Sequence, residues 1–120
     1  MQPHRQPERA DVRFHRVSDR VTVALAPVVG PKALANATIV VGERRTAVVD
    51  TTFTPEQADA VRAEAERLGG RPVDVVVLTH ADPDHVLGLA RFGSPVVVAS
   101  AAAAAVLRDP DVVRAYAAIA

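Results

Sequence analysis

The chain has no cysteine. That excludes disulfides, thiolate metal sites and cysteine nucleophiles. Aromatic residues amount to only 3%, so a core has to be assembled from Val, Leu, Ile and Ala. Net charge is missing too. Fourteen basic residues balance fourteen acidic ones, which removes any electrostatic reason to expect nucleic acid or an anionic membrane as partner. Lys32 is the single lysine, and the arginines are scattered along the chain as on a solvated surface. The opening stretch MQPHRQPERADVRF is polar with no apolar run behind it, unlike a signal peptide or a membrane span. A cytoplasmic location is the expectation.

What is present is ordinary for a soluble domain: 120 residues, 49% hydrophobic and 23% charged. This is enough for one domain with a modest core. Residues 1–10 read as a flexible tail. VRFHRV (Val12–Val17) and VTVALA (Val21–Ala26) are β-branched runs split by the turn-like SDR, an antiparallel pair. PVVGPKALAN, with two prolines and a glycine, reads as a loop. ATIVVG and TAVVDT flank the polar ERR and make a second hairpin.

The strongest helix signal follows. Thr54 caps it, Pro55 fits its first position, and Gln57 completes a Thr-x-x-Gln capping box. Ala58, Val61, Ala65 and Leu68 then share one face, and Gly69-Gly70 ends the element. VDVVVLTH is almost wholly apolar, as in a strand covered on both faces. GLARFG predicts a short helix, PVVVAS a further strand, and AAAAAVLRD and DPDVVRAYAAIA two helical pieces. Strand, amphipathic helix and apolar strand between Thr46 and Leu78 imply a parallel pair by a crossover connection. The fold class is therefore α/β, a mixed β-sheet with helices on one face.

Chemistry in open α/β sheets gathers beyond the carboxyl ends of parallel strands. There stand His80, Asp82, Asp84 and His85, four ligand-type side chains within six residues, and Asp50 ends the neighbouring strand. His80 and Asp82 alternate, so both can face one point, and Pro83 stiffens the chain before Asp84 and His85. Imidazole and carboxylate together suit zinc, iron or manganese. Asp82 and Asp84 could equally be turn formers and helix caps. Placement behind a buried strand, with Asp50 alongside and Gly88 permitting close backbone approach, favours metal.

At these residues the chain resembles the metallo-β-lactamase superfamily of hydrolases, whose T-H-x-H-x-D-H-x-x-G signature follows an apolar strand. Here it stands as Thr79-His80-Ala81-Asp82-Pro83-Asp84-His85-Val86-Leu87-Gly88. The resemblance runs upstream through NATIVVGERRTAVVDTT and downstream through ARFGSPVVVAS, covering Val12 to Ser100. It implies that His80 and Asp82 ligate a first metal, and Asp84 and His85 a second. Asp84 would also hold or deprotonate the attacking water, and Asp50 would steady the loop by hydrogen bonds. The activity implied is hydrolysis of a small-molecule ester, lactone, thioester, amide or phosphoester by metal-bound hydroxide.

Two features depart from the family pattern. Position 82 is Asp where the family usually has His, which leaves zinc the expected divalent metal but opens the site to iron or manganese. Flavodiiron reductases carry a carboxylate there, in an H-x-E-P-D-H string that HADPDH resembles, and are the alternative within the fold. The second departure is larger. Family members take further ligands from a second αβ half, and no His follows His85. The expectation is that residues 11–120 form the N-terminal half of an αββα sandwich, weakly active or inactive alone. Apolar surface at Val96–Val98 and Val112–Ile119 would then lie uncovered and promote self-association. A non-catalytic half-domain that docks to a partner is the reading from a different class. Dehalogenase-type phosphatases need an Asp where Thr52 stands, and DHH phosphoesterases need one at Val86, so both are excluded.

Overall fold

The structure is a computed structural model describing residues 12–26, 28–29 and 32–119. The expected tail at 1–10 lies outside the described residues. Eight strands and four helices follow in the order β1 (Arg13–Arg16), β2 (Val21–Leu25), β3 (Val28–Val29), β4 (Lys32–Ala33), β5 (Ala37–Val41), β6 (Thr46–Val49), α1 (Pro55–Gly69), β7 (Val75–Leu78), α2 (Pro83–Val86), β8 (Val96–Ala99), α3 (Ala101–Arg108) and α4 (Pro110–Ile119). A turn of 3-10 helix, Leu89–Phe92, lies between α2 and β8.

Six strands form one mixed sheet in the order β1-β2-β5-β6-β7-β8. The first three pairings are antiparallel, and β6–β7 and β7–β8 are parallel. α1 is the crossover between β6 and β7. Its capping box forms in full: the Thr54 side chain accepts from Gln57 N–H while the Gln57 side chain accepts from the Thr54 backbone. Such a cap contributes about 1 kcal/mol. Gly70 then closes the helix at φ 69°, the left-handed conformation that glycine adopts without penalty.

Side-chain alternation divides the sheet into two unlike faces. Ala24, Ile39, Val48, Val76 and Leu78 face one way and are buried against Ala58, Val61 and Ala65 of α1, with Val86 and Phe92. Leu107 of α3 and Tyr116 of α4 pack against the same core. The cross-strand register places Val23, Val40, Val49, Val77, Val96 and Val98 on the opposite face. There the central valines are only half-buried, and at the edge strand Val96 is 64% exposed. The face is largely valine, with Thr38 at its centre and His15 at its β1 edge, and no covering layer lies on it among the described residues.

Three expectations are corrected. The stretch Pro27–Asn36 is not merely a loop, because β3 and β4 pair antiparallel within it as a two-residue ladder. β7 is covered on one face rather than both: Val76 and Leu78 are buried, but Val75 and Val77 are not. An all-valine run hides this difference because both of its faces are apolar. Leu68 shares the helical phase of Ala65 but lies in the last turn of α1 and is 37% exposed. No helix among the described residues is long and apolar enough to cross a membrane.

Candidate metal centre

The β6–β7 pairing decides what meets at the carboxyl edge of the sheet. Val49 is in register with Val77, and Asp50 N–H still donates to the Val77 carbonyl at 2.7 Å. Asp50 therefore emerges beside the residues that follow β7. It then enters the left-handed region at φ 65°, as does Thr52 at φ 68°. Both are buried. Each such residue costs on the order of 1–2 kcal/mol, so surrounding bonds must hold it there.

Those bonds reach the Thr79–His85 loop. One Asp50 oxygen accepts from Thr79 N–H at 2.8 Å, and the other accepts from the Thr79 hydroxyl at 2.6 Å and from His85 Nδ1 at 2.9 Å. From the next position, Thr51 N–H and Thr51 Oγ1 both donate to the His85 carbonyl, at 2.8 and 3.0 Å. Gly88 makes this closeness possible. A methyl group there would overlap the Thr51 carbonyl oxygen and lie 2.6 Å from Ala58 Cβ.

Proton accounting fixes both imidazoles. The Thr79 hydroxyl has one proton and directs it at Asp50, so toward His80 Nδ1, 3.0 Å away, it acts as acceptor. His80 Nδ1 and His85 Nδ1 are thus both N–H donors, the first to Thr79 and the second to Asp50. In the neutral rings each Nε2 keeps its lone pair free. The ring centroids lie 4.6 Å apart. Asp84 stands close by, with Oδ1 3.7 Å from His85 Nε2 and Oδ2 accepting from Ala35 N–H at 2.9 Å. Asp82 occupies the N-cap of α2, but its side chain makes no capping bond and is exposed.

The donor set fits a divalent metal in kind: two imidazoles with free Nε2 atoms, one backed by a buried carboxylate, and acidic neighbours. It does not fit in number. Among the described residues no three His, Asp or Glu side chains are arranged to hold one ion. Asp50, His85, Asp84 and His80 are linked by these contacts, whereas the Asp82 side chain is exposed and makes none of them. The sequence reading gave no role to Thr79 beyond its place in the motif, nor to Thr51. It also passed over Tyr116, whose hydroxyl donates to the Ala81 carbonyl within the loop at 2.6 Å. A lone tyrosine on an alanine-rich helix was the available signal.

A six-stranded mixed sheet with helices on one face and a His/Asp loop behind a parallel strand defines one αβ half of a metallohydrolase-type fold. The metallo-beta-lactamase superfamily profile matches residues 30–111, and the chain belongs to that superfamily. Solved structures agree on the fold. The metallo-beta-lactamase FIM-1 from Pseudomonas aeruginosa, in its mono-zinc form, superposes with a TM-score of 0.69 at 22% identity, over 81% of this chain and 45% of its own. A metallo-beta-lactamase from Pontibacter korlensis gives 0.71 at 21% identity, over 83% and 48%. One from Erythrobacter litoralis is 30% identical, with a TM-score of 0.58 over 73% and 39%. This chain therefore spans less than half the length of the structures it matches. No curated protein matches the sequence.

Proposed function

We propose that this chain is the metal-loop half of a metal-dependent hydrolase acting on a small-molecule ester, lactone, thioester, amide or phosphoester. The carrying observation is the fixing of both imidazoles at Nδ1, His85 by buried Asp50 and His80 by Thr79, which leaves the two Nε2 atoms free. His80 and Asp82 would hold one ion, Asp84 and His85 another. When bound, a divalent ion acidifies water and polarises the scissile carbonyl or phosphoryl group. Asp50 keeps the His85 tautomer and Thr79 that of His80, and Asp84 is the carboxylate for the proton of the attacking water. Zinc is the expected ion, with iron or manganese admitted by Asp82. The remaining donors come with a second αβ layer seated on the open valine face, which completes an αββα sandwich.

A second reading has its own support. With no three-donor group among the described residues, the chain alone would be a non-catalytic half-domain that docks through that same face. Titrating the full chain with Zn2+ and Co2+, beside His80→Ala and His85→Ala variants, decides between them. Uptake that both substitutions weaken, with ester or lactone turnover above the variants' level, supports the hydrolase reading. No uptake, or uptake indifferent to both histidines, leaves the docking half-domain.

A further inference from the structure

The loop from Thr79 to His85 is anchored unevenly. Its first residue is tied to Asp50 by two hydrogen bonds, and its last to Thr51 by two and to Asp50 by one. Asp84 is held by Ala35 N–H. The middle, Ala81–Asp82, has no such tie to β6 or α1 among the described residues. Asp82 accepts from His85 N–H at 3.0 Å, a bond inside the loop, and its own carboxylate caps nothing. Among the described residues, the one bond reaching this middle from another element is the Tyr116 hydroxyl on the Ala81 carbonyl, 2.6 Å long and spanning 35 positions.

We infer that Tyr116 is a positioning residue for the His80–Asp82 segment, holding from α4 the part of the loop that the sheet edge does not reach. This rests on the metal-loop reading above. The helix is built to deliver the side chain. Val112 and Tyr116, one turn apart, are half-buried, while Val113, Arg114 and Ala117 are exposed. The ring packs against the core and lines an apolar groove with Val86, Leu89 and Leu107. This fixes the hydroxyl at the groove's end, under the loop. Burial, and then the nearby Asp82 charge, raise the phenol above its ordinary pKa, so it stays a donor across the neutral range. Ala81 lies between two proposed ligands, so slack in its peptide would displace His80 and Asp82 together.

The test is Tyr116→Phe in the full chain, which keeps the ring and removes only the hydroxyl. Amide hydrogen exchange at His85, whose N–H donates to the Asp82 carbonyl, is expected to quicken roughly five- to tenfold, the loss of one net hydrogen bond. Ile39 and Val48, in the core strands, should exchange unchanged. The His80 ring nitrogens should shift from a single Nδ1–H tautomer toward a mixture by 15N NMR, and Co2+ affinity should fall by a similar factor. Unchanged exchange at the His85 amide overturns the inference. Uniform acceleration across the sheet also overturns it, since that marks an ordinary packing residue, as does unchanged Co2+ affinity in a chain that binds cobalt. If the wild-type chain binds no cobalt, the hydrolase reading fails, and the exchange rates still decide the role of Tyr116.

Discussion

Asp50 Oδ2 lies 2.9 Å from His85 Nδ1, across 35 positions of sequence, and the same oxygen accepts from the Thr79 hydroxyl at 2.6 Å. One buried carboxylate therefore sets the start of the loop, the orientation of its last imidazole and, through Thr79, the tautomer of His80. Parallel pairing of β6 with β7 makes this possible, because it delivers both strand ends to one edge.

Replacing Asp50 should be costly even without metal. Asp50→Ala leaves Thr79 N–H, the Thr79 hydroxyl and His85 Nδ1 without their acceptor in a site that was 5% exposed. Charged hydrogen bonds of this kind sum to a loss of about 3 kcal/mol, and alanine tolerates the left-handed φ of 65° less well than aspartate, so backbone strain offsets none of it. Urea denaturation measures it. A loss below about 0.5 kcal/mol, the range of ordinary surface substitutions, would show that the carboxylate does not hold the loop.

Gly88→Ala tests the close approach of loop and helix. The added methyl meets the Thr51 carbonyl and Ala58 Cβ, backbone and a packed core atom, and neither can swing aside as a flexible side chain could. Overpacking of this sort costs roughly 1–3 kcal/mol. Thermal melts of the variant should show the drop, accompanied by a shifted His85 ring signal. Wild-type stability would mean that the Thr51–His85 junction is looser than these contacts require.

The open face should dominate solution behaviour. Val75 and Val77 of β7 and Val96 and Val98 of β8 are partly exposed on it, with Val98 at 49%. Val98→Lys is expected to reduce dye binding to exposed apolar surface and to shift any self-associated species toward monomer in light scattering. Thermal stability should change little, because the residue is already half in water. Unaltered association would place the contact elsewhere, and Ile119 on α4, also 49% exposed, would be the next position to charge.

Asp59 and Arg91 carry a pH dependence of predictable sign. The guanidinium of Arg91 donates twice to the Asp59 carboxylate, at 2.9 and 2.8 Å, and ties the 3-10 turn behind the metal loop to α1. That hydrogen bonding holds the Asp59 carboxyl below its ordinary value. A depressed folded-state pKa gives stabilisation that is present above the unfolded value and lost as pH falls through the folded one. Wild type should thus lose more stability than Arg91→Ala on acidification below the usual aspartate range. The difference should shrink in high salt, since the pair is solvent-exposed. Parallel acid titrations of the two proteins would refute this arrangement.

Much of this was legible in the residues. The capping box at Thr54 and Gln57, the hairpin spacers and the strand before His80 are local signals, because caps, turns and alternation act within a few residues of backbone. The cluster of ligand-type residues from His80 to His85 was legible for the same reason, since these residues are nearly contiguous. Asp50 was placed beside it by the crossover rule, which converts a strand-helix-strand pattern into a parallel pair.

The tertiary structure alone decided the rest. The valine runs of β7 and β8 are apolar on both sides, so only the packing of α1 on one face shows which valines are buried. The sequence names His80 and His85, but their tautomers follow from where the Thr79 proton goes, a matter of 2.6 Å between residues 29 positions apart. Tyr116 reads as one residue of a plain helix until α4 folds back beneath Ala81. What the sequence by itself determined is most of the elements, β3 and β4 excepted, and the side-chain types gathered in the loop, because backbone propensity and side-chain type are properties of neighbours along the chain. Which nitrogen is free, which face stays open and which distant hydroxyl steadies the loop depend on long-range packing, where non-neighbours meet.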